Sequence, residues 1–181
     1  MSEEPEYVFK IVAVGQGGVG KTSLIRRWAY DKFDSSYVQT LGVDFSTKEI
    51  VASRSERVKL VCVDTAGQEY YGRIRPGYYS GANGAFIVFD LTNRNSFESL
   101  PKWVAELRKY LPEVPIAIVG NKLDLTEEEG VRRATKAEAE AFAAENGMSY
   151  FETSAKVGEG VDVVFVTLSE AVLARHREAT A

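Results

Sequence analysis

The chain contains the stretch Gly15-Gln16-Gly17-Gly18-Val19-Gly20-Lys21-Thr22, which follows the phosphate-binding pattern G-x-x-x-x-G-K-[ST]. An apolar run, Val8–Val14, precedes it and predicts a buried strand, and residues 23–29 predict the start of a helix. Glycines allow the backbone to curl so that several N–H groups point into one concavity, to which the helix N-terminus adds its positive end. Lys21 then supplies a charge for the outer phosphates, and Thr22 supplies an oxygen ligand for Mg²⁺. This P-loop therefore predicts a nucleoside phosphate site, without choosing between ATP and GTP.

A second segment, Asp64-Thr65-Ala66-Gly67-Gln68-Glu69, follows another predicted strand. An acid at a strand end beside a P-loop can hold Mg²⁺, usually through a water, which makes Asp64 a candidate. Gly67 offers an N–H that can approach a γ-phosphate closely, because no Cβ intervenes. Gln68 both donates and accepts hydrogen bonds, which suits it to orienting an attacking water rather than deprotonating it. Lys21 and Gln68 are the predicted catalytic side chains.

Two further segments address the choice of base. Asn121-Lys122-Leu123-Asp124 follows the predicted strand Ile116–Gly120, and Ser154-Ala155-Lys156 follows the predicted strand Ser149–Thr153. The Asp124 carboxylate can accept both adjacent donors of guanine, N1–H and the N2 amine, whereas adenine lacks this pair. A backbone N–H in the second segment can reach guanine O6. Each segment is weak alone, but their order after the P-loop favours GTP.

A loop between the first helix and the second strand contains Thr40. Its hydroxyl can join Mg²⁺ and contact the γ-phosphate only when that phosphate is present. The loop would therefore sense which nucleotide is bound. The predicted metal-binding residues are Thr22, Thr40 and Asp64.

Together these segments resemble the small GTPases of the Ras superfamily, and the Rab family most closely. The Rab-like detail lies in Leu41-Gly42-Val43-Asp44-Phe45, in Asp64–Glu69 and in Tyr78-Tyr79-Ser80-Gly81-Ala82. The resemblance runs from about Val8 to the final helix. It implies that Phe33 stacks on the base, that Asp64 lies in the second shell of Mg²⁺ and that an activating protein and an exchange factor regulate the nucleotide. The nucleotide-binding residues that it implies are Gly17, Gly18, Val19, Gly20, Lys21, Thr22, Ser23, Phe33, Thr40, Gly67, Asn121, Lys122, Asp124, Ser154, Ala155 and Lys156.

The resemblance also has departures. Rab proteins usually carry Trp where this chain has Val63, and that Trp joins two aromatics, here Phe45 and Tyr78, in a cluster that faces effectors. Because valine offers much less apolar area, the choice of effector does not carry over. Effectors are still expected at Val38–Phe45 and Gly67–Tyr79, on a monomeric protein.

The end of the chain differs from the Rab pattern as well. Arg175–Ala181 contains no cysteine for prenylation, so either a lipidated tail lies beyond Ala181 or the protein is a non-prenylated relative. We expect membrane attachment only in the first case. The predicted organisation is an acidic, flexible tail at residues 1–6, one GTPase domain at residues 7–177 and a short tail at residues 178–181.

Composition sets outer bounds on function. The 181 residues carry a net charge of −4, which argues against nucleic-acid binding. Cys62 is the only cysteine and falls on a predicted strand, so we expect a buried thiol, no internal disulfide and a reducing, cytoplasmic location. The acidic start of the chain is unlike a signal peptide, and no apolar run nears the roughly 18 residues that span a bilayer.

Strand and helix patterns alternate along the chain. The spacing predicts one helix over Ser96–Tyr110 and a hairpin turn at Ser53–Glu56. A final helix should bury one face formed by Val161, Val164, Phe165, Leu168, Ala171 and Val172. We expect an α/β fold, a single P-loop NTPase domain with a six-stranded, mostly parallel sheet, one antiparallel edge strand and helices on both faces.

Three functions remain open from the sequence. The favoured one is a GTP-dependent switch with slow hydrolysis, because no arginine lies between Asp34 and Thr40 to reach the γ-phosphate. The second is a GTP-binding scaffold that does not hydrolyse, against which Gln68 argues. The third is an ATP-using enzyme such as a small-molecule kinase, against which Asp124 argues.

Overall fold

The computed structural model describes residues 5–36, 43–67, 73–128 and 130–181, and strands and helices alternate through these ranges. The strands are β1 (Tyr7–Val14), β2 (Val43–Val51), β3 (Arg57–Thr65), β4 (Gly84–Asp90), β5 (Ile116–Asn121) and β6 (Ser149–Glu152). The helices are α1 (Lys21–Tyr30), α2 (Arg94–Glu98), α3 (Leu100–Tyr110), α4 (Leu123–Glu128), α5 (Lys136–Glu145) and α6 (Val161–Thr180). The P-loop and the segments that begin at Asp64, Asn121 and Ser154 therefore each lie at or just after the end of a strand.

In the described residues the strands form one six-stranded sheet in the order β2-β3-β1-β4-β5-β6. Every neighbouring pair is parallel except β2 and β3, which form a hairpin through a tight turn at Ser53–Ser55. The predicted mostly parallel sheet with one antiparallel edge strand is confirmed, and so is the hairpin turn. The order of strands reverses at β1, so the P-loop at the carboxyl end of β1 occupies the position where such sheets bind ligands.

Helices cover both faces of the sheet, as the sequence predicts. On one face α1 packs against α6, where the Trp28 and Phe165 rings stack with their centroids 4.1 Å apart. On the other face Leu107 of α3 and Ala143 of α5 belong to a second cluster of buried side chains. The central strands are covered on both sides, which accounts for their nearly continuous apolar sequence.

The predicted helix over Ser96–Tyr110 is wrong in its extent, because two helices, α2 and α3, occupy this region. The Asn93 side chain caps α2 by accepting a hydrogen bond from the backbone N–H of Asn95 at 3.0 Å. Pro101 lies at the start of α3 and has no N–H to donate to the preceding turn. The backbone hydrogen bond that residue 101 would donate is therefore absent, and a second helix begins at Leu100.

The predicted buried face of α6 needs one correction. Ala171 is exposed, whereas Leu173 is buried. Ser169 is buried as well. The buried face of α6 is therefore rotated towards Ser169 and Leu173 compared with the face that the apolar spacing indicated. The helix also continues to Thr180, past the domain boundary predicted at residue 177.

One smaller expectation is met. Cys62 is buried in β3, and burial raises the pKa of its thiol. His176 is exposed on α6 and contacts the edges of the Tyr7 and Phe9 rings. Within the described ranges, no helix combines the length and the apolarity needed to cross a lipid bilayer.

Candidate nucleotide-binding site

A cavity of about 390 Å³ opens among the segments that follow β1, β3, β5 and β6. These segments meet because the carboxyl ends of parallel strands lie at the same edge of a sheet. The predicted residues that line the cavity are Gly17, Gly18, Gly20, Lys21, Thr22, Ser23, Phe33, Gly67, Asn121, Lys122, Asp124, Ala155 and Lys156. One concavity thus brings together residues from five separate parts of the sequence, since Phe33 follows α1.

Three other predicted residues lie behind the cavity wall. Val19, Asp64 and Ser154 are buried, and each contacts a residue that lines the cavity. Thr40 and Gln68 fall outside the described residues, as do residues 38–42 and 68–72 of the predicted effector segments.

The P-loop curls around the Lys21 ammonium group. Lys21 Nζ donates to the carbonyl oxygens of Gly15 at 2.8 Å and Gln16 at 3.0 Å. Burial lowers the pKa of Lys21 to about 8; the Asp64 carboxylate opposes this shift and the Arg75 guanidinium adds to it. The ammonium therefore lies in the centre of the loop, where an incoming phosphate would restore its full charge.

Gly67 contacts the P-loop directly. A Cβ added at Gly67 would lie 2.5 Å from Lys21 Nζ and would also collide with the Gly15 carbonyl oxygen. Only glycine fits this position, because any Cβ would collide with the P-loop. The segment after β3 is therefore in contact with the P-loop at the phosphate end of the cavity.

Thr22 and Asp64 meet at the same end of the cavity. The Thr22 hydroxyl donates to Asp64 Oδ2, whereas the buried Asp64 Oδ1 has no hydrogen-bond partner in the described part of the chain. Burial raises the pKa of Asp64, and the hydrogen bond from Thr22 and the charge of Lys21 oppose this effect. A buried carboxylate oxygen that lacks a partner, beside a hydroxyl, fits a small hard cation such as Mg²⁺.

Among the described residues, no group of three or more His, Cys, Asp or Glu side chains is arranged to hold a metal ion. A cation at Thr22 and Asp64 would therefore complete its shell with phosphate and water oxygens, which is the usual pattern for Mg²⁺.

Asn121 connects three segments at the opposite end of the cavity. Its Nδ2 donates to the Val19 carbonyl oxygen at 3.0 Å, and its Oδ1 accepts from the Thr153 hydroxyl at 3.0 Å and the Ala155 N–H at 3.2 Å. The side chain is buried, so these bonds hold the P-loop, β5 and the segment after β6 together. A guanine O6 would have to share the Ala155 N–H with Asn121.

Asp124 lies in the first turn of α4, a short helix that sequence reasoning did not predict. The Ser154 hydroxyl donates to Asp124 Oδ1 at 2.6 Å and fixes the orientation of the carboxylate. Lys122 adopts a left-handed backbone conformation with φ of 69°, and its Nζ lies 2.8 Å from Asp90 Oδ2. The sequence predicted Ser154 as a binding residue but not its role in positioning Asp124.

Sequence reasoning missed several residues that line the cavity, namely Arg26, Lys32, Asp34, Ser35, Ser36, Thr65 and Leu125. Arg26 matters most among them, because it lies one helical turn after Thr22 on α1. The repeat of 3.6 residues per helical turn places Arg26 on the same side of α1 as Thr22, and this signal could have identified it.

Arg27 was also missed, although it does not line the cavity. Its Nε donates to the Ala155 carbonyl oxygen at 2.8 Å, and one terminal nitrogen donates to the Lys156 carbonyl oxygen at 2.6 Å. Arg27 therefore connects α1 to the backbone of the segment after β6. No local sequence signal pairs residues so far apart in the chain.

The predicted effector cluster is modified by Val63. Phe45 and Val63 are directly opposite each other in the β2–β3 pair, yet Phe45 is 56% exposed and Val63 is fully buried. Tyr78 is partly buried and packs against the core that contains Val63. Val63 therefore adds no exposed apolar surface beside Phe45.

Comparison with known proteins places this geometry in a family. Residues 10–174 match the Ras family. Over 167 residues the chain is 41% identical to the GTP-binding protein ypt3 of Schizosaccharomyces pombe, covering 92% of this chain and 76% of that one. It is 41% identical over 168 residues to the Ras-related protein Rab-21 of Homo sapiens, covering 92% and 73%. It is 37% identical over 182 residues to Rab-10 of Caenorhabditis elegans, covering 99% and 89%. The chain belongs to the Ras family, as a Rab-like small GTPase.

Proposed function

We propose that this GTPase is a molecular switch that cycles between GTP and GDP forms and hydrolyses GTP slowly on its own. The contact of Gly67 with the P-loop at Lys21 carries the proposal. Because Gly67 lies against Lys21, a γ-phosphate beside Lys21 would also meet the Gly67 N–H, whereas GDP has no γ-phosphate to do so. The position of the segment would then depend on which nucleotide is bound.

Guanine selection rests on Asp124 and its supports. The carboxylate would accept the N1–H and N2 donors of guanine, while the Ser154 hydroxyl orients the carboxylate and Asn121 Oδ1 holds the Ala155 N–H. Phe33 lines the same cavity and is 38% exposed, so its ring is available to stack on the base. An adenine would place an acceptor against the Asp124 carboxylate, which is unfavourable.

Hydrolysis would use groups at the other end of the cavity. Lys21 and the P-loop N–H groups would stabilise charge on the phosphates, and Gln68 would orient the attacking water. Thr22 and Thr40 would bind Mg²⁺, with Asp64 in its second shell, and the ion would neutralise charge on the phosphate oxygens. Ras-type enzymes without a supplied arginine hydrolyse GTP on the order of 10⁻³ s⁻¹ or less, and we propose the same order here.

Single-turnover hydrolysis of GTP by the purified protein tests this proposal. We expect a rate below about 10⁻² s⁻¹, and we expect Gln68→Leu to slow it at least tenfold with little change in GDP affinity, because Gln68 acts only on the water. A wild-type rate above about 1 s⁻¹ would contradict slow intrinsic turnover. No detectable phosphate release would instead favour the non-hydrolysing scaffold.

The cellular setting follows from the Rab likeness. We propose a role in membrane trafficking or related signalling on the cytoplasmic side of membranes, with effectors at Val38–Phe45 and Gly67–Tyr79. A GTPase-activating protein would supply the missing arginine to the phosphate end of the cavity. An exchange factor would open the site for nucleotide release.

A further inference from the structure

Arg75 is a buried arginine that lies outside the nucleotide cavity. Its Cζ atom lies over the Trp103 ring of α3, 4.6 Å from the ring centroid, and the residue is almost completely removed from solvent. Two of its nitrogens donate to the two carboxylate oxygens of Glu106, at 2.9 and 3.1 Å. This bidentate pair fixes the plane of the guanidinium against α3.

Glu106 is held in turn by a third side chain. The Tyr79 hydroxyl donates to Glu106 Oε1 at 2.5 Å. Burial alone would raise the pKa of Glu106, but the hydrogen bonds from Arg75 and Tyr79 keep it below its usual value. The carboxylate is therefore charged at neutral pH, and the pair with Arg75 stays intact.

The remaining terminal nitrogen of Arg75 contacts the segment after β3. It donates to the carbonyl oxygen of Ala66 at 3.3 Å, in a buried position. The described residues contain no cis peptide bond, and the C=O and N–H groups of a trans peptide point in opposite directions. By holding the Ala66 carbonyl, Arg75 also sets the direction of the Gly67 N–H.

We propose that Arg75 is a positioning residue, which orients the Gly67 N–H for the γ-phosphate and couples that orientation to α3 through Trp103 and Glu106. The inference rests on the proposed function, because it assigns Gly67 to the γ-phosphate. GDP has no γ-phosphate, so Arg75 should affect the binding of GTP and not that of GDP. Binding of a partner to α3 would then act on the phosphate end of the cavity through Arg75.

A purely structural role would produce a different pattern. Replacing a buried ion pair can leave stability unchanged, and loss of stability alone affects the GTP and GDP forms alike. The bond to Ala66, in contrast, acts on one peptide group beside the γ-phosphate position. The ratio of GTP affinity to GDP affinity therefore separates the two roles.

The test uses Arg75→Lys in the protein of 181 residues. Lysine keeps a positive charge for Glu106 but lacks the planar fork that reaches both Glu106 and Ala66. Affinities for GDP and for a non-hydrolysable GTP analogue are measured by competition with a fluorescent nucleotide, together with single-turnover hydrolysis. We expect analogue affinity to fall at least fivefold, GDP affinity to stay within twofold, and hydrolysis to fall at least tenfold, because a misplacement of about 1 Å can cost up to about 10²-fold.

Leu107→Ala is the matched control, because Leu107 is buried on the same helix and contributes to the apolar core. This variant should lower the melting temperature and leave the affinity ratio unchanged. If Arg75→Lys does not fold, the double variant Arg75→Gln/Glu106→Gln removes both charges together and should show the same change in the ratio.

An unchanged ratio in the folded Arg75 variant would overturn the inference, and so would an equal change in Leu107→Ala. Failure of the proposed function has a different signature, since the wild-type protein itself would then show no difference between the GTP analogue and GDP and no preference for guanine.

Discussion

Replacing Arg27 with methionine should accelerate the release of GDP. The guanidinium donates to the carbonyl oxygens of Ala155 and Lys156 at 2.8 and 2.6 Å, and the side chain is 18% exposed. Hydrogen bonds to charged groups contribute about 1.5–3 kcal/mol each, so the two bonds together contribute roughly 3–6 kcal/mol. The two bonds stabilise the segment after β6 both with and without nucleotide. Only the part of this free energy that differs between the bound and the free protein changes the affinity for GDP.

If about half of that free energy is present only when GDP is bound, the substitution weakens GDP binding by roughly 1.5–3 kcal/mol, or about ten- to hundredfold. The assay loads the protein with a fluorescent GDP analogue and follows its dissociation in excess unlabelled GDP. Arg27→Lys should give an intermediate rate, because an ammonium group can reach one of the two carbonyls.

Arg108→Met is the matched control for this experiment. Arg108 also donates to backbone carbonyls, including that of Val114 at 2.8 Å, but none of its partners lines the cavity. The control should therefore release GDP at the wild-type rate. If Arg27→Met does so as well, the assignment of Arg27 as a support of the guanine end is wrong.

Three further predictions address the rest of the site and the core. Because the pKa of Lys21 is lowered to about 8, GDP binding at pH 8 should take up about half a proton, and at about pH 6.5 almost none. Calorimetry in buffers of different ionisation enthalpy measures this uptake, and its absence at pH 8 would contradict the assigned position of Lys21. In Asp64→Asn, the Mg²⁺ concentration needed to slow GDP release should rise at least tenfold. The same Mg²⁺ dependence of the release rate in the variant and the wild type would exclude Asp64 from the cation site. Leu168→Ala should destabilise the protein by about 2–5 kcal/mol in urea unfolding, because Leu168 is buried between α6 and the sheet. An effect below about 1 kcal/mol would show that the helix contributes less to the core than its burial indicates.

The sequence predicted those parts of the molecule that depend on local pattern. The strands before each motif, the β2–β3 hairpin and the position of the P-loop at the carboxyl end of β1 follow from apolar runs and glycine spacing. These features predicted most of the cavity wall, because motifs at the ends of parallel strands necessarily meet.

Other features depend on contacts between distant residues. Arg27 reaches Ala155 across 128 positions, and Asn121 reaches Val19 across 102 positions, so no local period can indicate either bond. Helix ends were also missed where a polar cap or a proline overrides the apolar spacing, as at Asn93 and Pro101.

The most direct test of guanine selection is a competition titration of the nucleotide-free protein with GDP and ADP, on the wild type and on Asp124→Ala. The Asp124 carboxylate should favour GDP by several kcal/mol, at least about 10²-fold in affinity, and the variant should lose most of that preference. Equal affinities of the wild-type protein for GDP and ADP would contradict the assignment of Asp124 and the guanine site built around it.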